Sequence, residues 1–378
     1  MLFSHISDTH LGFVQYSPEE REQDVYNAFN QSIDISIKDH VDFVIFAGDI
    51  FDEPRPNGTA IIEMANALKR LKQNNIDSFF ILGEHDVNRF RTTPIPYIYH
   101  NLNFSKYIGQ GKPVEYKDVL LVGYDKIRRE EIPQYEEKFA DVDKIVKNHS
   151  GHKILVMHQG VSEFHKFGGE LHSTDLPKNF TYYAMGHLHD HDVKQFNHLD
   201  GPIVYPGSIE LIREGIKETK KGFFEVDISS SESKMDWVDL DTRPQFSYKM
   251  NYDEIVKSVN EISEKLVGFE RKPIVELKIQ GGEIEIDVIQ AQISRLNALS
   301  LRCFWKVVSK ETESSVFLDR PGVIDDELFR LSVNALGSEQ IACFAVKELL
   351  PLLETDQIKQ ATQIVVENFE RYKKEQKK

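Results

Sequence analysis

Leu2-Phe3-Ser4-His5-Ile6 runs directly into Ser7-Asp8-Thr9-His10-Leu11-Gly12, and Phe43-Val44-Ile45-Phe46-Ala47 runs directly into Gly48-Asp49-Ile50-Phe51-Asp52. In both, a short, largely apolar run gives way to glycine, carboxylate and imidazole. A brief apolar run bounded by turn residues reads as a buried strand. The same junction recurs at Phe79–Leu82 before Gly83-Glu84-His85-Asp86, at Ile154–Met157 before His158-Gln159, and at Tyr182–Met185 before Gly186-His187-Leu188-His189. Val119–Val122, Ile203–Tyr205 and Phe223–Ile228 add further apolar runs, while Arg21–Ile37 and Thr59–Leu71 repeat apolar residues at helical spacing. Strands alternating with helices predict an α/β fold, a layered sheet core wrapped by helices.

The composition narrows the function. With 46 basic and 61 acidic residues, the formal charge of −15 excludes a generic basic coat for nucleic acid and leaves room only for local contacts. No apolar stretch approaches the roughly 20 residues that cross a bilayer. The N-terminal residues carry no basic segment or small-residue cleavage site, and Cys303 and Cys343 make no disulfide framework. The expectation is a cytoplasmic protein without a membrane partner, associated with the nucleoid when on DNA.

Serine-rich punctuation at Ser229–Lys234, followed by Arg243-Pro244, marks a boundary, so residues 1–230 read as the first domain. Beyond it, Asn251–Leu266 and Ile284–Leu296 read as helices and Pro273–Ile279 and Leu301–Val308 as strands, a small α/β unit over 245–310. Residues 322–378 read as a helical region, with Ser338 and Thr355 or Asp356 as helix caps.

In an α/β sheet, residues just past the carboxyl ends of strands converge on one crevice. Asp8, His10, Asp49, Glu84, His158, His187 and His189 would therefore meet. Carboxylates and imidazoles without thiolates suit Mn²⁺, Fe²⁺ or Zn²⁺, and seven donors are more than one ion takes. Two ions held close together clamp a phosphoryl group, activate water and stabilise the leaving oxygen. The glycines before Asp49, Glu84 and His187 are read as allowing sharp turns at the strand ends.

Asp-x-His, Gly-Asp, Gly-x-His-Asp, His and Gly-His-x-His in this order resemble the calcineurin-like metallophosphoesterases. Asp8-Thr9-His10-Leu11-Gly12, Arg21 with Asp24, Gly48-Asp49-Ile50-Phe51 with Arg55-Pro56, Pro206-Gly207-Ser208 and Lys221-Gly222-Phe223 narrow the resemblance. Within the superfamily they are most similar to the DNA double-strand-break repair nucleases of the meiotic-recombination-eleven (SbcD-like) family. Over residues 1–228 the resemblance rests on motifs, and beyond them on domain order alone. It implies a β-sandwich phosphoesterase domain flanked by helices, a small α/β capping domain for DNA, and a C-terminal helical segment. It further implies two divalent ions, most simply Mn²⁺. Asp8, His10, Asp49 and His189 would hold one, and Asp49, Glu84, His158 and His187 the other, with Asp49 bridging. His85 would be the catalytic histidine beside the scissile phosphate.

The chain departs from that pattern at two positions. Position 84 is Glu where the family has Asn, which raises the centre's carboxylates from two to three. Asp52 stands where the repair nucleases often have a histidine, and its likeness to the second Asp of the superfamily's protein phosphatases predicts an Asp52 carboxylate paired with His85. The resemblance also implies a homodimer through helices near 59–71 and 94–102, and docking of 322–378 on an SMC-like coiled-coil ATPase, the SbcC-like Rad-fifty subunit. Three readings stand: a Mn²⁺-dependent exo/endonuclease working on DNA ends with that ATPase, a weakly active scaffold of the same complex, and a small-molecule phosphodiesterase.

Overall fold

The computed structural model describes residues 1–14, 19–87, 93–165, 169–212, 220–230, 232–281 and 285–308, with isolated positions between 341 and 368. The expected helical region at 322–378 therefore lies almost wholly outside the described residues.

Two six-stranded sheets form the body. In the first, β1 (Leu2–Ile6), β2 (Phe43–Ala47), β3 (Asp77–Ile81) and β4 (Lys106–Tyr107) are parallel neighbours, and β11 (Gly222–Asp227) and β12 (Lys234–Asp239) extend the β1 edge antiparallel. The second runs in the order β5 (Val114–Tyr116), β6 (Val119–Tyr124), β7 (Lys153–His158), β8 (Tyr182–Gly186), β10 (Ile203–Tyr205) and β9 (Asp192–Lys194), with β6, β7, β8 and β10 parallel.

The central strands read as unbroken apolar runs because both of their faces are covered. Phe3, Phe43 and Ile45 pack against Leu121, Ile154 and Val156 of the opposite sheet. Ile6, Val44 and Phe46 point the other way, toward Val25, Phe29, Ala67 and Leu68 of helices α1 (Glu19–Lys38) and α2 (Gly58–Gln73). Asn57 caps α2, its side chain accepting from Ala60 N at 2.9 Å. A short helix, α3 (Tyr97–Asn101), seats Tyr99 in the same layer, and α4 (Glu136–Val146) covers the second sheet through Phe139, Val142 and Val146. Helix, sheet, sheet and helix form four layers, the expected sandwich flanked by helices.

The serine-rich stretch is followed by β12, whose register on β11 carries the first sheet on to Asp239. A smaller, wholly parallel sheet then joins β13 (Gln245–Asn251), β14 (Ile274–Gln280) and β15 (Arg302–Val307), and helices α5 (Ile255–Leu266) and α6 (Ile286–Asn297) share its core. The sequence reading began a helix at Asn251 and missed β13. The structure corrects it: Phe246, Tyr248 and Met250 alternate into the core as a strand, and the α-helix starts at Ile255.

Arg21 and Asp24, noted above only as sequence signals, form a buried joint. Arg21 Nη1 lies 2.8 Å from Asp24 Oδ2, and Arg243, just before β13, grips the same carboxylate at 2.5 and 3.0 Å. A shared, desolvated carboxylate between two guanidiniums fixes where the chain leaves the first sheet for the second core.

Candidate metal centre

The loops that leave the parallel strands are stitched to one another. Asp8 N donates to Gly48 O, His10 N to Asp49 O and Leu11 N to Ile50 O, at 2.9 to 3.1 Å. The buried Asp86 carboxylate accepts from Ile50 N, Phe51 N and Gly83 N, joining the loops after β2 and β3. Asp8, His10, Asp49 and His187 all take positive φ, at 51, 42, 48 and 95°. Four non-glycine residues in that region cost energy that the surrounding hydrogen bonds must offset, as happens where side chains are aimed for function.

The glycine reading needs adjustment at Gly83 and at Gly186, where a Cβ would lie 2.1 Å from Ala47 O. Gly48 does turn sharply, with φ of 88°, but Gly83 is required by crowding: a Cβ there would sit 2.1 Å from Asp49 Oδ1. Close approach to the carboxylate, and not the turn alone, demands glycine there.

All seven expected donors come together. Donor atoms of Asp8, His10 and His189 lie within 4.8 Å of one another, as do those of Glu84, His158 and His187, and those of Asp8, Asp49 and His158. His10 Nε2 faces His189 Nε2 at 3.2 Å and Asp49 Oδ2 at 3.7 Å. His158 Nε2 lies 3.2 Å from Asp49 Oδ2, 3.4 Å from Glu84 Oε2 and 3.9 Å from Asp8 Oδ1. Glu84 turns into the centre, its Oε1 3.0 Å from His187 Nδ1. Asp8, His10, Asp49 and His158 are buried, whereas Glu84, His187 and His189 line the open side.

The electrostatics call for cations. Burial raises the Asp8 carboxyl above its ordinary range. Burial pushes Asp49 the same way, but His158 and His10 outweigh it and hold that carboxyl well below the usual range. His158 is fully buried, yet Asp49, Glu84 and Asp8 drive it well above the ordinary imidazole value. Its Nδ1 is committed to Ala47 O at 2.8 Å, and its Nε2 is buried without a hydrogen-bond partner. An orphaned imidazole nitrogen aimed at three carboxylates, with only oxygen and imidazole donors around it, fits a divalent ion.

The expected pairing of Asp52 with His85 is corrected. The Asp52 carboxylate lies 3.2 Å from His10 Nδ1, while His85 Nδ1 donates to the Asp52 backbone carbonyl at 2.6 Å. His10 is the buried ring, 1% exposed, and so the one that benefits most from a carboxylate behind it. Because a carbonyl only accepts, His85 carries its proton on Nδ1, and a donor atom of the ring also lies within 4.8 Å of those of Asp49 and Glu84. His85 N also donates to Asp49 Oδ1 at 2.8 Å, which fixes the loop. His191, two residues past His189, stacks on Trp237 at 4.2 Å.

The sequence reading missed Lys126. It follows β6 just as the recognised clusters follow their strands, and its Nζ is 3.3 Å from Glu84 Oε2 and 2.8 Å from Glu170 Oε2. The signal was a polar pair, Asp125-Lys126, past an apolar run to which no cluster had been assigned.

A carboxylate–imidazole centre of this kind, at the strand ends of a helix-flanked β-sandwich, defines a metal-dependent phosphoesterase. Residues 1–191 match the family described as Calcineurin-like phosphoesterase. Similar proteins include the DNA double-strand break repair protein Mre11 of Thermoplasma acidophilum, 34% identical over 91% of this chain and 92% of that protein. Those of Sulfurisphaera tokodaii and Saccharolobus solfataricus are 32% and 31% identical, covering 84% and 82% of this chain and 84% and 83% of theirs. Among solved structures, a dimetal phosphatase from Danio rerio covers 63% of this chain and 95% of that one, at 12% identity and a TM-score of 0.44. The chain belongs to the Mre11 family of calcineurin-like phosphoesterases.

Proposed function

We propose that the chain is a Mn²⁺-dependent DNA exo/endonuclease that processes double-strand breaks. The observation that carries this reading is the convergence of Asp8, His10, Asp49, Glu84, His158, His187 and His189 around the buried, orphaned His158 Nε2, in a chain similar over nine-tenths of its length to a double-strand break repair protein. One ion would take Asp8, His10, Asp49 and His189, and the other Asp49, Glu84, His158 and His187. Divalent ions supply Lewis acidity toward a phosphoryl oxygen. Asp49 lies between the two sets and holds both together, while Asp52 fixes the tautomer and orientation of His10. His85, exposed and anchored through Nδ1, would stabilise the phosphate and give a proton to the departing oxygen as water adds to phosphorus and the ester phosphorus–oxygen bond breaks.

The domain assignments extend this reading. Residues 245–310 would cap DNA over the centre, and 322–378 would dock on the SMC-like coiled-coil ATPase, the SbcC-like Rad-fifty subunit. Two copies would pair through 59–71 and 94–102. That pairing is supported by Ile62, Ile98 and Leu102, which are exposed while their neighbours Met64, Leu68 and Tyr99 are buried in the core. Among the described residues no helix is long and apolar enough to cross a membrane, and a cytoplasmic setting with nucleoid association is proposed from the activity on DNA.

The test is hydrolysis of blunt duplex ends, single-stranded circles and a small phosphodiester, with Mn²⁺, Mg²⁺ or chelator. Cleavage of DNA with Mn²⁺, abolished by chelator and in Asp49→Ala with loss of both ions, is expected. Cleavage of the small ester alone would favour the small-molecule phosphodiesterase, and two bound ions without any hydrolysis would favour the scaffold.

A further inference from the structure

Glu84 brings a third carboxylate into a centre that already holds Asp8 and Asp49, and beside it stands Lys126, 13% exposed and 3.3 Å away. This lysine is not a solvated surface side chain. Its Nζ is anchored 2.8 Å from Glu170 Oε2, which also accepts from Gln159 Nε2 at 2.8 Å and Gly160 N at 3.3 Å. Gln159, next to His158, is in turn locked to both backbone groups of Ile127 at 2.7 and 3.0 Å. The ammonium is therefore held by a frame spanning the loops after β6 and β7, on the same side chain, Glu84, that reaches His158 and His187. Glu170 belongs to none of the carboxylate–imidazole groups and serves as the anchor.

The charges can be compared directly. An uncharged amide at position 84 would leave two carboxylates among the donors. Glu84 makes three, and Lys126 offsets that added charge, with Glu170 on the far side of the ammonium a carboxylate common to both cases. An ammonium held in place at this distance acts on these groups through a far weaker field than in vacuum but more strongly than a mobile surface charge does. We infer that Lys126 is a positioning residue for the metal centre, the counter-charge that lets Glu84 stand where a neutral side chain would otherwise serve. The pair works as one exchangeable unit: Glu84 without Lys126 over-charges the centre, and Lys126 without Glu84 repels the ions. This rests on the proposed metal centre and not on the choice of DNA as substrate.

The experiment is a set of variants of the full chain, Lys126→Met, Lys126→Gln, Glu84→Asn and Glu84→Asn/Lys126→Met, measured by calorimetric Mn²⁺ titration and by thermal unfolding after chelation. Glu84→Asn should bind Mn²⁺ about thirtyfold more weakly, because a carboxylate is lost and an ammonium remains. Adding Lys126→Met should bring affinity back to within about threefold of the natural chain. Lys126→Met alone should bind Mn²⁺ more tightly and, after chelation, unfold at a lower temperature, since Glu84 is left without its cation. Lys126→Gln keeps an amide donor for Glu170 and should tighten Mn²⁺ binding likewise, which separates charge from loop collapse. A double variant no better than Glu84→Asn, or Lys126→Gln binding like the natural chain, would overturn the assignment. Ion counting does not depend on DNA cleavage, so a chain that binds two ions but cuts no DNA would sink the nuclease reading and leave this one intact.

Discussion

At the scale of single residues, the centre divides its histidines by what stands behind each ring. His10 has a carboxylate behind Nδ1, whereas His85 and His158 have only carbonyls. A carboxylate behind a ligand ring fixes the tautomer and strengthens the nitrogen as a donor, an effect usually worth ten- to hundredfold in metal affinity. Asp52→Asn should therefore weaken binding of one Mn²⁺ by about that factor and leave the other unchanged, as read by metal titration. Unchanged affinity for both ions in the variant would show that Asp52 does not support His10. His85 makes a different claim. Its Nδ1 is taken by the Asp52 carbonyl, and, with the residue acting on substrate, His85→Gln should retain two ions per chain and lose roughly 100-fold in rate. Loss of an ion in that variant would instead make His85 a ligand.

At the scale of elements, α2 and α3 are each divided lengthwise. Met64 and Leu68 are at most 1% exposed and Tyr99 is 2% exposed, with its hydroxyl donating to Ile61 O at 2.9 Å, so the inner stripes belong to the core. Ile62, Ile98 and Leu102 stand outside, at 59, 42 and 58% exposed. Apolar side chains on an outer stripe mark contact with another surface more readily than they mark the core. Ile98→Glu and Leu102→Glu should accordingly convert a dimer to a monomer in light scattering while shifting the melting temperature little. A large drop in melting temperature would place these residues in the core after all.

At the scale of the whole molecule, the two sheets are joined through apolar contact and through buried polar pairs, among them one between β1 and β8. His5 of β1, fully buried, meets the hydroxyl of Tyr182 of β8 at 3.0 Å. Burial lowers the His5 pKa from 6.5 to about 3, so this ring stays neutral in the folded protein and becomes protonated first when the chain unfolds. The unfolded state thus binds the extra proton between those two values. Stability from this group is complete above pH 6.5 and is lost as pH falls toward 3, by about 1.4 kcal/mol per pH unit. Denaturant titrations of the chelated protein should show that dependence flattened by one proton in His5→Asn, whatever the variant's stability at neutral pH. An unchanged slope would assign the acid sensitivity to other groups.

The buried central strands and their polar ends could be read from the chain alone, because strands covered on both faces are continuous apolar runs and the residues ending those runs follow from chain order. Asp8, His10, Asp49, Glu84, His158, His187 and His189 were legible for that reason: each closes a strand and carries a donor type that metals take. The half-exposed β12 and β13 were not, since short alternating strands at an edge or in a small sheet have little run to recognise, and serine-rich punctuation hid the first. The partners of those donors follow from the folded arrangement and from nothing local. That Asp52 turns to His10, that Gly83 must yield space to Asp49, and that Lys126 stands against Glu84 are contacts between loops 40 or more residues apart for two of the three, with no local periodicity to announce them. Such pairings are set by how two packed sheets align their strand ends, and that alignment is a property of the folded sandwich and not of any one stretch of the chain.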